Sequence, residues 1–275
     1  MTVYTFDGTW EGLLTAVFEA FDRREAVGDL LDPGGELPLF GEALHAVATD
    51  ATRAQRVWAG LERRMSKGGL RLFFACWLSE RAEVHGPMFR YACKVFGPKG
   101  QEVERDFADP DVLAVTNMAR RVLYERHRIM QFARFQKAKD GTYLAVVAPD
   151  HNVLLLAADH FRDRFRAQPW LLYDARRRYG CYFAGQGEVQ RVEFAEADGL
   201  AFNLADGRLD EAVLSADDHL LQELWRTYFK AICIRERINP RKQLSDMPRR
   251  YWRYLVEKQP PLPASPASPP KTSQP

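Results

Sequence analysis

The spacing of apolar residues changes along this chain, and the change sets its fold class. From Trp10 onward, Leu13, Leu14, Val17, Phe18 and Phe21 recur every three or four positions, the period of a helix with one buried face. Thr9 can cap this helix, preceded by a short alternating strand, Val3–Phe6, and an Asp7-Gly8 turn. After the Asp32-Pro33-Gly34-Gly35 break, helical spacing returns around Thr52–Ser66 and Gly69–Val84, begins again near Pro87, and runs from Asp109 to about Phe135. The Lys139-Asp140-Gly141 turn ends that pattern. Thr142–Val147, Trp170–Asp174, Gly180–Phe183 and Val189–Phe194 then read as strands, with a helix over Leu154–Phe165 between the first two. Ser215 and Asp218 are spaced like a capping box, opening a helix whose apolar stripe is Leu221, Leu224, Trp225, Tyr228, Phe229 and Ile232. Asn239-Pro240 ends it, and Met247–Val256 forms a last short helix. The expectation is an α+β protein: a mainly helical region over residues 1–135, an α+β region over 136–258 with a small antiparallel sheet, helix cover and basic C-terminal helices, and a disordered Pro/Ser/Ala-rich tail over 259–275.

Charge is divided unevenly along this frame. Residues 1–119 hold 13 Lys+Arg against 18 Asp+Glu, while residues 120–258 hold 25 against 19. Within the second part, Trp225–Lys258 carries ten basic residues against three acids, interleaved with aromatic rings. Such a segment points to a polyanion or an acidic protein surface, because cations attract phosphates and rings stack on unpaired bases. Its arginine side, Arg241, Lys242, Arg249, Arg250 and Arg253, is the expected phosphate-binding set, with Trp252 as a stacking ring. Trp225, Tyr228 and Phe229 are expected in the core, and Tyr251, Trp252 and Tyr254 are the better candidates for stacking, with core packing as the alternative.

Three other places can carry chemistry. Pro149-Asp150-His151-Asn152 lies between a strand and a helix, so Asp150 and His151 could act as general acid and base, and an anion could meet helix N–H groups there. The plain alternative is a capped helix with a hydrogen-bonded loop histidine. His160 and Arg164 share a helix face at i, i+4 and could clamp a phosphate, or belong to a solvated face balanced by Asp159 and Asp163. Arg176, Arg177 and Arg178 form a basic turn between strands that could meet phosphates or equally be a solvated hairpin loop. Phosphate-cradling glycine loops, GxSxG elbows and HExxH pairs are absent from the sequence. The four cysteines, Cys76, Cys93, Cys181 and Cys233, are widely spaced, so reduced, mostly buried thiols are expected and no metal or cofactor is assigned. The apolar runs fall far short of the roughly 20 residues a membrane span needs, and the start MTVYTFDG has no leader character, so a cytoplasmic protein is expected.

Four segments also carry a family likeness: YTFDGTWEGLLTAVFEAF, RFQKAKDGTYLAVVAPDHNVLLLAADHFRDRF, WLLYDARRRYGCYF and ELWRTYFKAICIRERINPRKQLSDMPRRYWRYL, in this order. With them the chain resembles the bacterial DNA-metabolism and repair proteins linked to a radical SAM DNA-repair protein, a domain that stands alone or is fused in front of a uracil-DNA glycosylase-like domain. The resemblance implies DNA as the polyanion and a separate radical SAM or glycosylase-like partner. It carries over no catalytic residue. The leading expectation is an accessory DNA-binding protein. An enzyme acting on DNA or nucleotides through Asp150 and His151, and a protein-interaction adaptor, are the alternatives.

Overall fold

A computed structural model of the chain describes residues 2–23, 27–35, 43–98, 100–194, 202–231 and 239–260. The expected tail beyond Pro260 lies outside them, as do Cys233, Arg235 and Arg237. The chain divides into two compact units, residues 2–126 with Asp150–Val153, and His127–Pro149 with Leu154 onward.

The first unit is built on a three-stranded parallel sheet in the order β2-β1-β3, with β1 (Thr2–Thr5) between β2 (Val27–Leu31) and β3 (Ala43–Ala46). The turn from β1 into α1 (Trp10–Asp22) is organised by Asp7. Its Oδ1 accepts the Thr9 backbone N–H at 2.9 Å and the Thr9 hydroxyl at 2.6 Å, and its Oδ2 accepts the Thr49 hydroxyl at 2.8 Å. Burial works against the Asp7 carboxylate, but these hydrogen bonds outweigh it and hold its pKa below the ordinary value. Thr9 caps α1 by accepting the Gly12 N–H at 2.9 Å.

Three further whole helices belong to this unit, α2 (Ala51–Arg64), α3 (Lys67–Trp77) and α4 (His85–Phe96), together with residues 110–126 of the next one. Asp50 and Ser66 cap the first two through their side chains. The apolar spacing read from the sequence does its work here, since Leu13, Leu14, Val17, Val57, Leu61, Phe73 and Cys76 are all buried. Burial also pushes the Cys76 and Cys93 thiols up to about 12, so both remain protonated at neutral pH.

Sequence patterning missed β2 and β3. β3 is largely exposed, so it has no alternation to detect. β2 contains Gly28 and Asp29, which weaken a strand signal, yet the glycine is required there: a Cβ at Gly28 would sit 2.2 Å from the Thr2 carbonyl oxygen, where the β1–β2 register shifts.

The second unit carries a five-stranded sheet in the order β4-β5-β6-β7-β8: Gln136–Lys137, Tyr143–Val147, Pro169–Asp174, Tyr179–Ala184 and Gln190–Glu193. The expected small antiparallel sheet is present with helix cover, but one of its pairings is parallel, so the sheet is mixed. α6 (Leu154–Arg164) carries the chain from the end of β5 back to the start of β6, and such a crossover makes the two strands parallel. The other pairings are antiparallel. Leu144, Val146, Leu171 and Tyr173 pack with Phe202, Leu209, Leu214 and Tyr254 on one side of the sheet. The alternate residues Ala145, Val147, Trp170 and Leu172 are equally buried, and Phe161 of α6 meets Trp170 edge to face at 6.1 Å.

α5 (Pro110–Phe132) precedes this sheet, and α7 (Ala216–Ala231), α8 (Pro240–Asp246), α9 (Arg249–Trp252) and a 3-10 turn over Val256–Lys258 follow it. At the start of α7, the Asp218 carboxylate accepts the Lys137 N–H at 2.9 Å and the Gln222 amide at 2.8 Å, tying the helix to β4. No helix among the described residues is long and apolar enough to cross a membrane.

The contact at Gly28 yields a direct test. Gly28→Ala forces the β1 and β2 backbones apart and is expected to destabilise the protein by about 1–3 kcal/mol. Thermal or urea unfolding measures this, and an unchanged midpoint would show that the two strands do not approach each other in this way.

Candidate nucleic-acid interface

The Asp150-His151 loop is satisfied from within its own unit. The buried Glu125 carboxylate of α5 accepts the Asp150 N–H at 3.0 Å and the His151 N–H at 2.8 Å. His151 Nδ1 lies 3.2 Å from the Ser79 carbonyl, and the Asn152 amide donates to Glu80 Oε1 at 3.0 Å. Glu80 itself has a φ of 54°, an uncommon conformation for a side chain of this kind. The two loop N–H groups do meet an anion, and it is the protein's own.

The arginine turn divides in the same manner. Asp174, fully buried at the end of β6, accepts the N–H groups of Arg176 at 2.8 Å and Arg177 at 3.1 Å, together with Arg177 Nη1 at 2.9 Å. Burial pushes the Asp174 carboxyl above its ordinary value, against the pull of these donors. Arg177 Nη1 also donates to the Pro149 carbonyl at 3.1 Å, so this guanidinium is committed to the turn. Arg176 and Arg178 are exposed, Arg178 in the left-handed region with a φ of 57°.

In the C-terminal segment Trp225 and Tyr228 lie outside the core against expectation, Tyr251 and Tyr254 take the core packing that was their alternative, and Phe229 and Trp252 are half-buried. Tyr251 and Tyr254 are 3% and 8% exposed, whereas Leu221, Leu224, Trp225 and Tyr228 of α7 are 52%, 55%, 39% and 54% exposed. The α7 stripe is amphipathic, but its apolar face looks outward. Tyr254 is drawn inward because its ring completes the sheet core beside Phe202 and Leu209. Trp252 is half-buried, donates its Nε1–H to the Met247 carbonyl at 2.9 Å, and lies under Arg249 at 5.8 Å and Lys258 at 4.8 Å.

Arg241, Lys242, Arg249, Arg250 and Arg253 are all exposed. Lys242 pairs with Asp246 at 2.8 Å, and Arg250 donates to the Tyr251 hydroxyl at 2.8 Å. Arg241, Arg249 and Arg253 form no ion pair among the described residues. α8 and α9 thus gather the C-terminal arginines on one short stretch, while Arg164 and His160 line a separate cleft of about 410 Å³ with Arg134, Phe135, Phe165 and Trp225.

Two residues central to this arrangement, Glu257 and Arg134, carry little signal of their own in the sequence. Glu257 has a fully buried side chain that accepts Arg134 Nη2 at 2.8 Å, Arg134 Nε at 3.3 Å and Trp225 Nε1 at 3.0 Å. Arg134 also lies over the Trp225 ring, 5.4 Å from its centroid. Burial alone would raise the Glu257 pKa; Arg134 and the Trp225 N–H reverse the shift and hold it below the ordinary 4.5. The hint available in the sequence was that an acid at position 257 is rare in so basic a segment.

A carboxylate whose folded pKa is depressed adds stability above its unfolded pKa and loses it as pH falls through the folded value. Glu257→Gln is therefore expected to cost about 1.5–3 kcal/mol at neutral pH, the range of a hydrogen bond to a charged group. The gap to the unsubstituted protein should narrow below the ordinary carboxyl pKa of 4.5. Urea unfolding across the pH series checks this, and a gap constant with pH would show that Glu257 is not held as an anion.

A comparison with the curated proteins and another with the solved structures each gave no match. Residues 82–257 match the model of DUF4130, a domain of unknown function, and the chain belongs to that family.

Proposed function

We propose that this protein is a DNA-binding accessory in DNA repair, which holds DNA for a separate radical SAM or uracil-DNA glycosylase-type partner. The observation that carries the reading is the set of exposed arginines on α8 and α9. Arg241, Arg249 and Arg253 form no ion pair among the described residues, and together with Arg250 they present guanidinium groups within thirteen positions of sequence. Cations held in that way gain by displacing the counterions of a phosphate backbone, and guanidinium groups match phosphate oxygens in geometry. DNA as the polyanion follows from the family likeness of the four quoted segments. Arg176 and Arg178, exposed at the β6–β7 turn, add a second group of cations in the same unit.

A protein-interaction adaptor is the second reading. The exposed apolar face of α7, with Leu220, Leu221, Leu224 and Tyr228, favours it, since contiguous exposed apolar groups mark contact surfaces. Capture of the radical SAM partner that survives nuclease treatment separates protein contact from DNA bridging.

Binding of single- and double-stranded DNA across a salt series tests the leading reading. Affinity is expected to fall steeply with salt, and the triple substitution Arg249→Ala, Arg250→Ala and Arg253→Ala should make the slope of log K against log [salt] shallower by about 2–3. Absent or salt-independent binding would sink the proposal.

A further inference from the structure

The cleft between α6 and α7 combines features that the exposed arginines lack. Its volume of about 410 Å³ falls within the roughly 300–1,000 Å³ of small-ligand sites. Phe135, Phe161, Phe165 and Trp225 supply aromatic walls, and His160 and Arg164, one helical turn apart on α6, supply polar and cationic groups at its edge. Arg164 is exposed; its contact is with the ring of Phe165, 5.8 Å from the centroid, and it forms no ion pair among the described residues. A neighbouring recess of about 220 Å³ shares Arg134, Phe135 and Trp225 and continues the apolar lining to Tyr143 and Leu221.

Trp225 is the anchor of both spaces. Its Nε1–H is fixed on Glu257 at 3.0 Å and Arg134 lies over its ring, yet the side chain remains 39% exposed. An indole oriented in advance and open to solvent loses little freedom when a flat ligand packs on it. No acid among the described residues lines the cleft. Glu257 behind Trp225 is buried and paired with Arg134, and Asp218 of the neighbouring recess is buried and accepts the Lys137 N–H and the Gln222 amide, so Arg164 is the exposed charge at the cleft's edge.

A flat aromatic group joined to an anion is the ligand chemistry that such walls and cations recognise. We propose that the α6–α7 cleft takes one unpaired nucleotide of a DNA strand, its base against Trp225 and the neighbouring phenylalanines and its phosphate on Arg164 and His160. The inference rests on the DNA-binding reading and adds a preference to it. Bases within a duplex are stacked on one another and cannot enter, so the cleft selects single-stranded or flipped-out bases. Duplex binding is left to the arginines of α8 and α9.

Anisotropy of a labelled oligothymidine of about 12 nucleotides, within the usual single-strand site sizes, and of a duplex of equal length tests the division. The unsubstituted protein should prefer the single strand. Trp225→Ala should weaken single-strand binding about tenfold or more, the usual scale for losing an aromatic stacking platform, with duplex binding changed less than about twofold. Trp225→Phe should retain most of the affinity. Because Trp225 also partners Glu257, Arg164→Ala provides an independent variant at an exposed position; it should weaken the single-strand complex and reduce its salt slope by about one. Single-strand binding unchanged in both Trp225→Ala and Arg164→Ala, while salt-dependent duplex binding persists, overturns the cleft assignment and leaves the DNA reading intact. Loss of all DNA binding in the unsubstituted protein overturns both.

Discussion

The second unit depends on one carboxylate taken out of water. Burying the Glu257 side chain completely is costly, and a lone charge at that position would take up a proton instead. Arg134 reaches it with two nitrogens and Trp225 with a third, so its oxygens are met by donors from two other parts of the chain, one just past the end of α5 and one in the middle of α7. A hydrogen bond of this kind has direction, unlike apolar packing, and therefore fixes the angle of the indole as well as its position. That is how α7 keeps a large ring at the surface in one orientation. An exposed tryptophan without such a tether would sample several rotamers, and ordering it would oppose any ligand.

The same device recurs elsewhere in the chain. Glu125 closes the Asp150-His151 loop and Asp174 closes the arginine turn, each by accepting two backbone N–H groups. Turns and helix starts leave such groups unpaired, and they attract negative charge whatever its source. An internal carboxylate competes at a far higher effective concentration than a ligand phosphate. The Asp150-His151 loop, which in sequence resembles an anion site, thus becomes a point of internal attachment within the first unit.

Helices were legible because their apolar residues keep a period close to 3.6 wherever one face is buried, as Leu13, Leu14 and Val17 show in α1. Strands β5 to β8 of the second sheet were legible from β-branched and aromatic runs between turn residues, whereas β4, two residues long, offers no run to detect. Parallel pairing of β5 with β6 was within reach, since a helix lies between them, but the meander that follows suggested an antiparallel sheet. Strands β2 and β3 were not legible, because an exposed strand and a glycine-containing one both lack alternation. The aromatic residues of the C-terminal segment were misplaced for a related reason: periodicity says which residues share a face and not which way the face points. Tyr251 and Tyr254 share a face at i, i+3 just as the α7 residues do, and only their neighbours, the sheet core beside Phe202 for Tyr254 and Phe132 for Tyr251, decide that the tyrosines go inward.

Formal charge is a poor guide to which cations are available to a ligand. Trp225–Lys258 has ten basic residues in sequence, but Arg226 donates to the Val256 carbonyl and Lys242 is paired with Asp246. Arg134 and Arg177, elsewhere in the unit, are held by fully buried acids. An ion pair with a buried partner is not exchanged for a solvated phosphate, because breaking it would strand the buried charge. An exposed guanidinium resting on an aromatic ring, as Arg249 does on Trp252 and Arg253 on Tyr254, keeps its donors directed to solvent and loses little when a phosphate arrives. Arg249, Arg250 and Arg253 of the proposed interface therefore rest on rings, whereas Arg134 and Arg177, which hold the fold, are tied to buried carboxylates.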